Sequence, residues 1–247
     1  MVKSTSENAL QQRASDSTLP IVEKRNPDCL RDRPDKARLG KRARARKGVG
    51  VRKVPPTGSA RNSVFLVGFM GAGKSSVGRA LGQRLNWVFE DLDDRIQQRE
   101  GRTVAAIFRD SGEAAFRLAE RAALQQTIEE LKGGVARVVA LGGGAFVQPE
   151  NAALLKSAGV PTVFLEAPVE ELWKRCCRQA GDAATERPLL KSIEQFRVLY
   201  EKRRKGYSSA SLKIGTAGRK IRDIAAEIVT GLDLKTIAIR TEQGDVE

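Results

Sequence analysis

The chain has 247 residues, enough for one α/β domain with appendages, and carries 44 Lys and Arg against 30 Asp and Glu, a net charge of +14. It contains no histidine, which excludes a Ser-His-Asp triad, an imidazole base and a His-ligated metal, so any general base is a carboxylate, Lys, Tyr or water. Three cysteines, Cys29, Cys176 and Cys177, offer neither a disulfide framework nor zinc-ligand spacing, and no apolar run nears the roughly 20 residues of a membrane helix.

Residues 1–61 hold 16 of the basic residues against 6 acidic ones, so +10 of the net charge lies there, and they contain no aromatic residue. They read as a disordered basic extension that the fold does not need. Its run Lys41-Arg42-Ala43-Arg44-Ala45-Arg46-Lys47 also fits a polyanion-binding patch, and its Arg and Ser content a transit peptide. The interspersed acids argue against the latter. Cytoplasm is the default location, and a plastid the alternative if the extension is a transit peptide.

From residue 62 strand and helix patterns alternate. Ser63-Val64-Phe65-Leu66-Val67 reads as a buried strand, followed by Gly68-Phe69-Met70-Gly71-Ala72-Gly73-Lys74-Ser75 and a helix with Val77, Ala80, Leu81 and Leu85 on one face. Further strands are predicted at 87–89, 137–141, 161–165 and 212–214. Helices are predicted at 94–100, 113–131, 149–158, 169–179, 193–205 and 219–232, and residues 233–247 read as a polar tail. The expected fold is a five-stranded parallel sheet flanked by helices, a three-layer α/β sandwich of the P-loop, nucleoside-monophosphate-kinase-like type with a mobile lid. Ligands belong at the carboxyl ends of its strands.

The Gly-x-x-x-x-Gly-Lys-Ser pattern between strand and helix implies a nucleoside triphosphate: backbone N–H groups encircle phosphate oxygens, Lys74 supplies a cation and Ser75 a magnesium ligand. Asp91 and Asp93 follow the second strand, where one can face magnesium-bound water and the other a substrate hydroxyl; the bland alternative is that Asp93 only caps the next helix. Arg117 is either a solvated helix charge or an anchor for a carboxylate, with Glu120 three residues on to hold it. Gly142-Gly143-Gly144 lets main chain approach a ligand. Arg187 closes a polar stretch that reads as mobile, where an Arg can swing over a γ-phosphoryl group. Arg203 and Tyr207 end a basic helix, which the helix dipole alone would favour.

In series, Gly-x-Met-Gly-Ala-Gly-Lys-Ser, Asp91-x-Asp93, Phe116-Arg117-x-x-Glu120, Gly142-Gly143-Gly144, Arg187-Pro188-Leu189-Leu190 and Arg203-x-x-x-Tyr207 resemble the shikimate kinase family over about residues 62–232. The resemblance implies ATP-dependent phosphorylation of the 3-hydroxyl of shikimate, a step toward chorismate and the aromatic amino acids, by a monomer with ATP and Mg2+. It implies that Gly71, Ala72, Gly73, Lys74, Ser75 and Ser76 wrap the phosphates, that Ser75 and Asp91 serve the metal, and that Asp93 holds the reacting hydroxyl and acts as base. Arg117, Arg203 and the Gly143 backbone would bind shikimate, Lys74 and Arg187 would stabilise the transferring phosphoryl, and Arg178 would lie near adenine. Neither a membrane nor nucleic acid is an expected partner of this domain. Lys205-Gly206 before Tyr207, Ser76, and a long lid stretch carrying Asp182 and Glu186 depart from the family pattern. The alternatives are a gluconate-kinase-like enzyme sharing the loop and lid, and a kinase-like fold turned binding or regulatory protein.

Overall fold

The structure, a computed structural model, describes residues 62–182 and 192–236. Its sheet has five strands, β1 (Ser63–Val67), β2 (Val88–Asp91), β3 (Arg137–Ala140), β4 (Thr162–Glu166) and β5 (Leu212–Gly215), in the order β2-β3-β1-β4-β5. Every pair is parallel. Residues 64–67 of β1 are buried throughout, as a central strand covered on both faces must be.

Helices fill the crossovers, α1 (Lys74–Leu85), α2 (Leu92–Glu100), α3 (Val104–Leu131), α4 (Pro149–Ala158), α5 (Val169–Asp182) and α6 (Ile193–Tyr207), and α7 (Ile221–Leu232) follows β5. Among the described residues no helix is long and apolar enough to cross a membrane. The expected parallel α/β sandwich is therefore what forms, and the strand after the phosphate loop's helix lies at the sheet edge.

Several boundaries differ from those predicted. Strand β2 starts and ends later than 87–89, because Trp87 packs into the core while Val88 is 53 % exposed on the edge. Helix α2 begins at Leu92, since it is the Asp91 side chain, not Asp93, that caps it by accepting from the Asp93 N–H at 3.2 Å. Helix α3 begins nine residues early, where the Thr103 hydroxyl accepts from Ala106 N–H at 3.1 Å. Gly112, at φ 80° and ψ 175°, breaks it into two segments. Periodicity missed the first segment because its sequence, Val-Ala-Ala-Ile-Phe-Arg-Asp-Ser, buries only Ile107.

Register brings the site together. Asp91 pairs with Ala140, and Ala140 with Leu66, so the chain leaves β2, β3 and β1 side by side at one end of the sheet. The edge strand is secured by charge: Glu90 binds Arg95 at 2.7 Å and Arg137 at 3.0 Å, Glu130 binds Arg137 at 2.7 Å, and Arg95 also binds Glu130. Half-buried guanidinium groups shared between two carboxylates fix the height at which Asp91 leaves the sheet.

Candidate active site

The loop between β1 and α1 turns on glycines with positive φ, and Gly71 shows why no other residue fits. At φ 77° it leaves no room for a side chain, since a Cβ there would lie 2.7 Å from the Leu172 carbonyl oxygen and 2.9 Å from Cys176 Sγ. The N-cap of α1 is Gly73, which offers no side chain to the first amides of the helix. Those N–H groups and the positive end of the helix are thus presented to an anion. Lys74 Nζ lies back over the loop, donating to the carbonyls of Gly68 (2.9 Å) and Phe69 (3.1 Å).

Ser75 Oγ donates to Asp91 Oδ2 at 2.7 Å, so the two residues expected to serve magnesium are in direct contact. A hydroxyl and one carboxylate beside a phosphate loop are a hard, all-oxygen donor set, as a cation that keeps several waters and takes other ligands from phosphates requires. The residues present therefore fit magnesium.

Asp93 stands at the second position of α2, pointing into the space above Gly142. Its Oδ1 is buried with no hydrogen-bond partner among the described residues. Burial, with the Asp91 charge adding to it and Lys74 opposing, pushes its pKa up to about 6. A carboxylate poised near neutrality in a cleft is suited to accept a proton.

Two guanidinium groups converge on the same space. Arg117, on the second segment of α3, is gripped by Glu113 Oε1 (3.0 Å) and by the buried Glu120 (2.9 Å), and it lies so close to Gly144 that a Cβ there would sit 2.7 Å from its Nη1. Arg203, on α6, lies against Gly143 and over the Phe69 ring at 5.8 Å. Among the described residues it makes no ion pair, and burial lowers its pKa, with the hydroxyl of Tyr207 opposing and Arg117 adding to the effect. A largely buried cation that makes no ion pair is costly unless an anionic ligand occupies the site. Phe69 ties this helix to the phosphate loop, meeting Phe196 edge-on at 4.9 Å and Tyr200 at 5.4 Å.

Of the residues singled out in the sequence, Lys74, Ser75, Asp91, Asp93, Arg117, Gly143 and Arg203 come together around one cleft. Arg178 instead extends from the exposed side of α5, its Nε 3.4 Å from the Lys174 carbonyl. Arg187 lies outside the described residues. Pattern reading missed Arg175, one turn before Arg178, which donates to the Gly71 carbonyl (3.4 Å) and to Thr216 Oγ1 and O (both 3.0 Å), joining the phosphate loop to the segment after β5. Its only sequence signal was the i,i+4 spacing from Glu171, which it binds at 2.9 Å.

Comparison with known proteins gives a consistent answer. Residues 70–233 match the family model described as shikimate kinase. The chain is 39 % identical to a shikimate kinase of Persephonella marina over 168 residues, 68 % of this chain and 96 % of that one. It is 42 % identical to one of Geobacter sulfurreducens over 74 % of this chain and 96 % of the relative. Among solved structures, the shikimate kinase of Aquifex aeolicus matches with a TM-score of 0.59 and 36 % identity, covering 69 % of this chain and 96 % of that one. The Acinetobacter baumannii enzyme in complex with shikimate matches with a TM-score of 0.60 and 34 % identity over 69 % and 92 % of the two chains.

Proposed function

This chain belongs to the shikimate kinase family, and from that premise we infer how its residues carry out the family's reaction, transfer of the γ-phosphoryl group of ATP to the 3-hydroxyl of shikimate. The amides of Gly71, Ala72, Gly73 and the first turn of α1, with Lys74 and Ser76, hold the ATP phosphates. Ser75 and, through water, Asp91 are the residues that would hold magnesium, which when bound neutralises phosphate charge. To meet a γ-phosphate, Lys74 exchanges the Gly68 and Phe69 carbonyls for phosphate oxygens. Arg178 is assigned to the adenine, and Arg187, which lies outside the described residues, to the transferring phosphoryl group.

Asp93 takes the proton of the 3-hydroxyl as its oxygen attacks phosphorus and the bond to the ADP oxygen breaks. Its raised pKa makes it a stronger base than an ordinary carboxylate. Arg117 and Arg203, with the Gly143 backbone, hold the shikimate carboxylate. Phosphoryl transfer asks the protein for in-line positioning and charge neutralisation more than for covalent chemistry, and two anion clamps flanking one base supply that.

The observation that carries this reading is the convergence of Arg203, a largely buried cation with no carboxylate partner among the described residues, with Arg117 and Asp93 on one cleft beside the phosphate loop. The test is ADP release by the purified protein with ATP and magnesium, run in parallel with shikimate, gluconate and no acceptor. Stimulation by shikimate alone supports the reading. Equal stimulation by gluconate, or none by any acceptor while ATP still binds, overturns it.

A further inference from the structure

Tyr207 closes α6 one turn beyond Arg203, and its side chain is fully buried, stacked on Phe164 at 5.0 Å between ring centroids. Its hydroxyl donates to the Gly143 carbonyl oxygen, with the charge of Arg203 nearby. Burial raises its pKa, and Arg203 only partly opposes this, so the group stays a neutral donor across the physiological range.

The Gly143–Gly144 peptide is planar and trans, so the carbonyl of Gly143 and the N–H of Gly144 point in opposite directions. With the carbonyl held on Tyr207, the Gly144 N–H points away from that hydroxyl, on the residue at which a Cβ would lie 2.7 Å from Arg117 Nη1. Among the described residues neither the Gly143 nor the Gly144 N–H has a hydrogen-bond partner. Three glycines in a row have no side chains to hold this peptide in one orientation, so something outside them must. The Ala145 N–H closes a turn on the Gly142 carbonyl at 3.1 Å, which either orientation of the central Gly143–Gly144 peptide satisfies, and the Tyr207 hydroxyl is the side-chain group bonded to that peptide.

We propose that Tyr207 is a positioning residue for acceptor binding: it fixes the Gly143–Gly144 peptide so that the Gly144 N–H joins Arg117 and Arg203 in receiving the acceptor's carboxylate. The hydroxyl thereby sets the glycine strip beside Arg203, and Tyr207 itself touches no substrate. The proposal rests on the reading of Arg117 and Arg203 as the carboxylate clamp.

The experiment compares wild type and Tyr207→Phe, which keeps the ring stacked on Phe164, with shikimate and with the analogue in which a hydroxymethyl group replaces the carboxylate. With shikimate the variant should show a KM about 10-fold higher and an ATP KM within about twofold, the scale of one lost buried hydrogen bond. With the hydroxymethyl analogue the two proteins should agree within about twofold. Equal penalties for both acceptors, or none for either, would overturn the proposal. A wild-type enzyme indifferent to the carboxylate would overturn the clamp reading and the proposal with it, and so is distinguishable from failure of the proposal alone. Should Tyr207→Phe not fold, wild type decides: addition of shikimate should slow exchange of the Gly144 amide at least about 10-fold, and a Gly144 amide unaffected by shikimate overturns the proposal.

Discussion

Asp93 Oδ1 and Glu120 Oε1 face one point above Gly142: a Cβ at that glycine would lie 2.7 Å from the first and 3.2 Å from the second. Both oxygens are buried without a hydrogen-bond partner among the described residues. Burial raises both pKa values, but Glu120 is also paired with Arg117, whose charge and hydrogen bond oppose the rise. The two carboxylates therefore divide the labour, Glu120 holding a cation and Asp93 remaining open to a proton.

Replacing Asp93 by Asn keeps the shape and removes the base. Turnover should fall about 10²- to 10⁴-fold while the ATP dissociation constant stays within about twofold. Steady-state kinetics with nucleotide titration checks this, and near-normal turnover would leave Asp93 as no more than a helix residue.

The same residue predicts a pH profile. Asp93 must be ionised to accept a proton, so kcat/KM should rise with pH through about 6 and level off above it. Magnesium beside Asp91 favours the ionised form and moves the limb lower, never higher. A profile flat from pH 5 to 8, or a limb that survives in Asp93→Asn, would contradict the assignment.

Arg117→Ala removes a forked donor and strands the buried Glu120. The KM for shikimate should rise about 30-fold or more with the ATP KM little changed. Equal losses for both ligands, seen together with a lowered unfolding midpoint, would mean the site has collapsed.

Arg203→Met is expected to separate stability from function. Exchanging a largely buried guanidinium that makes no ion pair among the described residues for an apolar chain should leave the protein as stable or about 1 kcal/mol more so, while shikimate binding is lost. Thermal unfolding and shikimate titration on the one variant give both readouts, and a loss of several degrees in Tm would show that the cation supports the fold.

Acid stability should report the edge clamp. The hydrogen bonds of Arg95, and with them those of Arg137, hold Glu130 down to about 2, so its contribution is complete above pH 4.5 and disappears as pH falls toward 2. Its side chain is 34 % exposed, and with allowance for screening the contribution is about 1 kcal/mol. Glu130→Gln should lower the urea midpoint at pH 6 and converge with wild type near pH 2. A constant gap at every pH would assign the loss to packing instead.

The sheet was legible because its strands are short apolar runs bounded by glycines and helical stretches, and Ser63–Val67 followed by a phosphate loop leaves little choice of neighbours. Asp93, Arg117 and Arg203 were legible only in series, since each alone has a bland alternative that sequence cannot dismiss. Capping at the second strand was misplaced by two residues because Asp91, Asp93 and Asp94 are chemically equivalent caps until the strand's end is known. Arg175 and the reach of Tyr207 to Gly143 were not legible at all: each joins segments more than sixty or a hundred positions apart, and nothing local encodes that meeting.

The order of the strands sets the order in which the site can come into being. The phosphate loop, Asp93, Arg117 and the glycine strip all belong to the first 144 residues, whereas Arg203 and Tyr207 arrive on α6 and dock against a loop made more than a hundred residues earlier. During synthesis from the N-terminus the phosphate loop, the base and one arm of the carboxylate clamp are on hand first, and the second arm, Arg203, comes only with α6. A nascent chain therefore closes its grip on the second substrate only once α6 has emerged, with β5 and α7 still to follow.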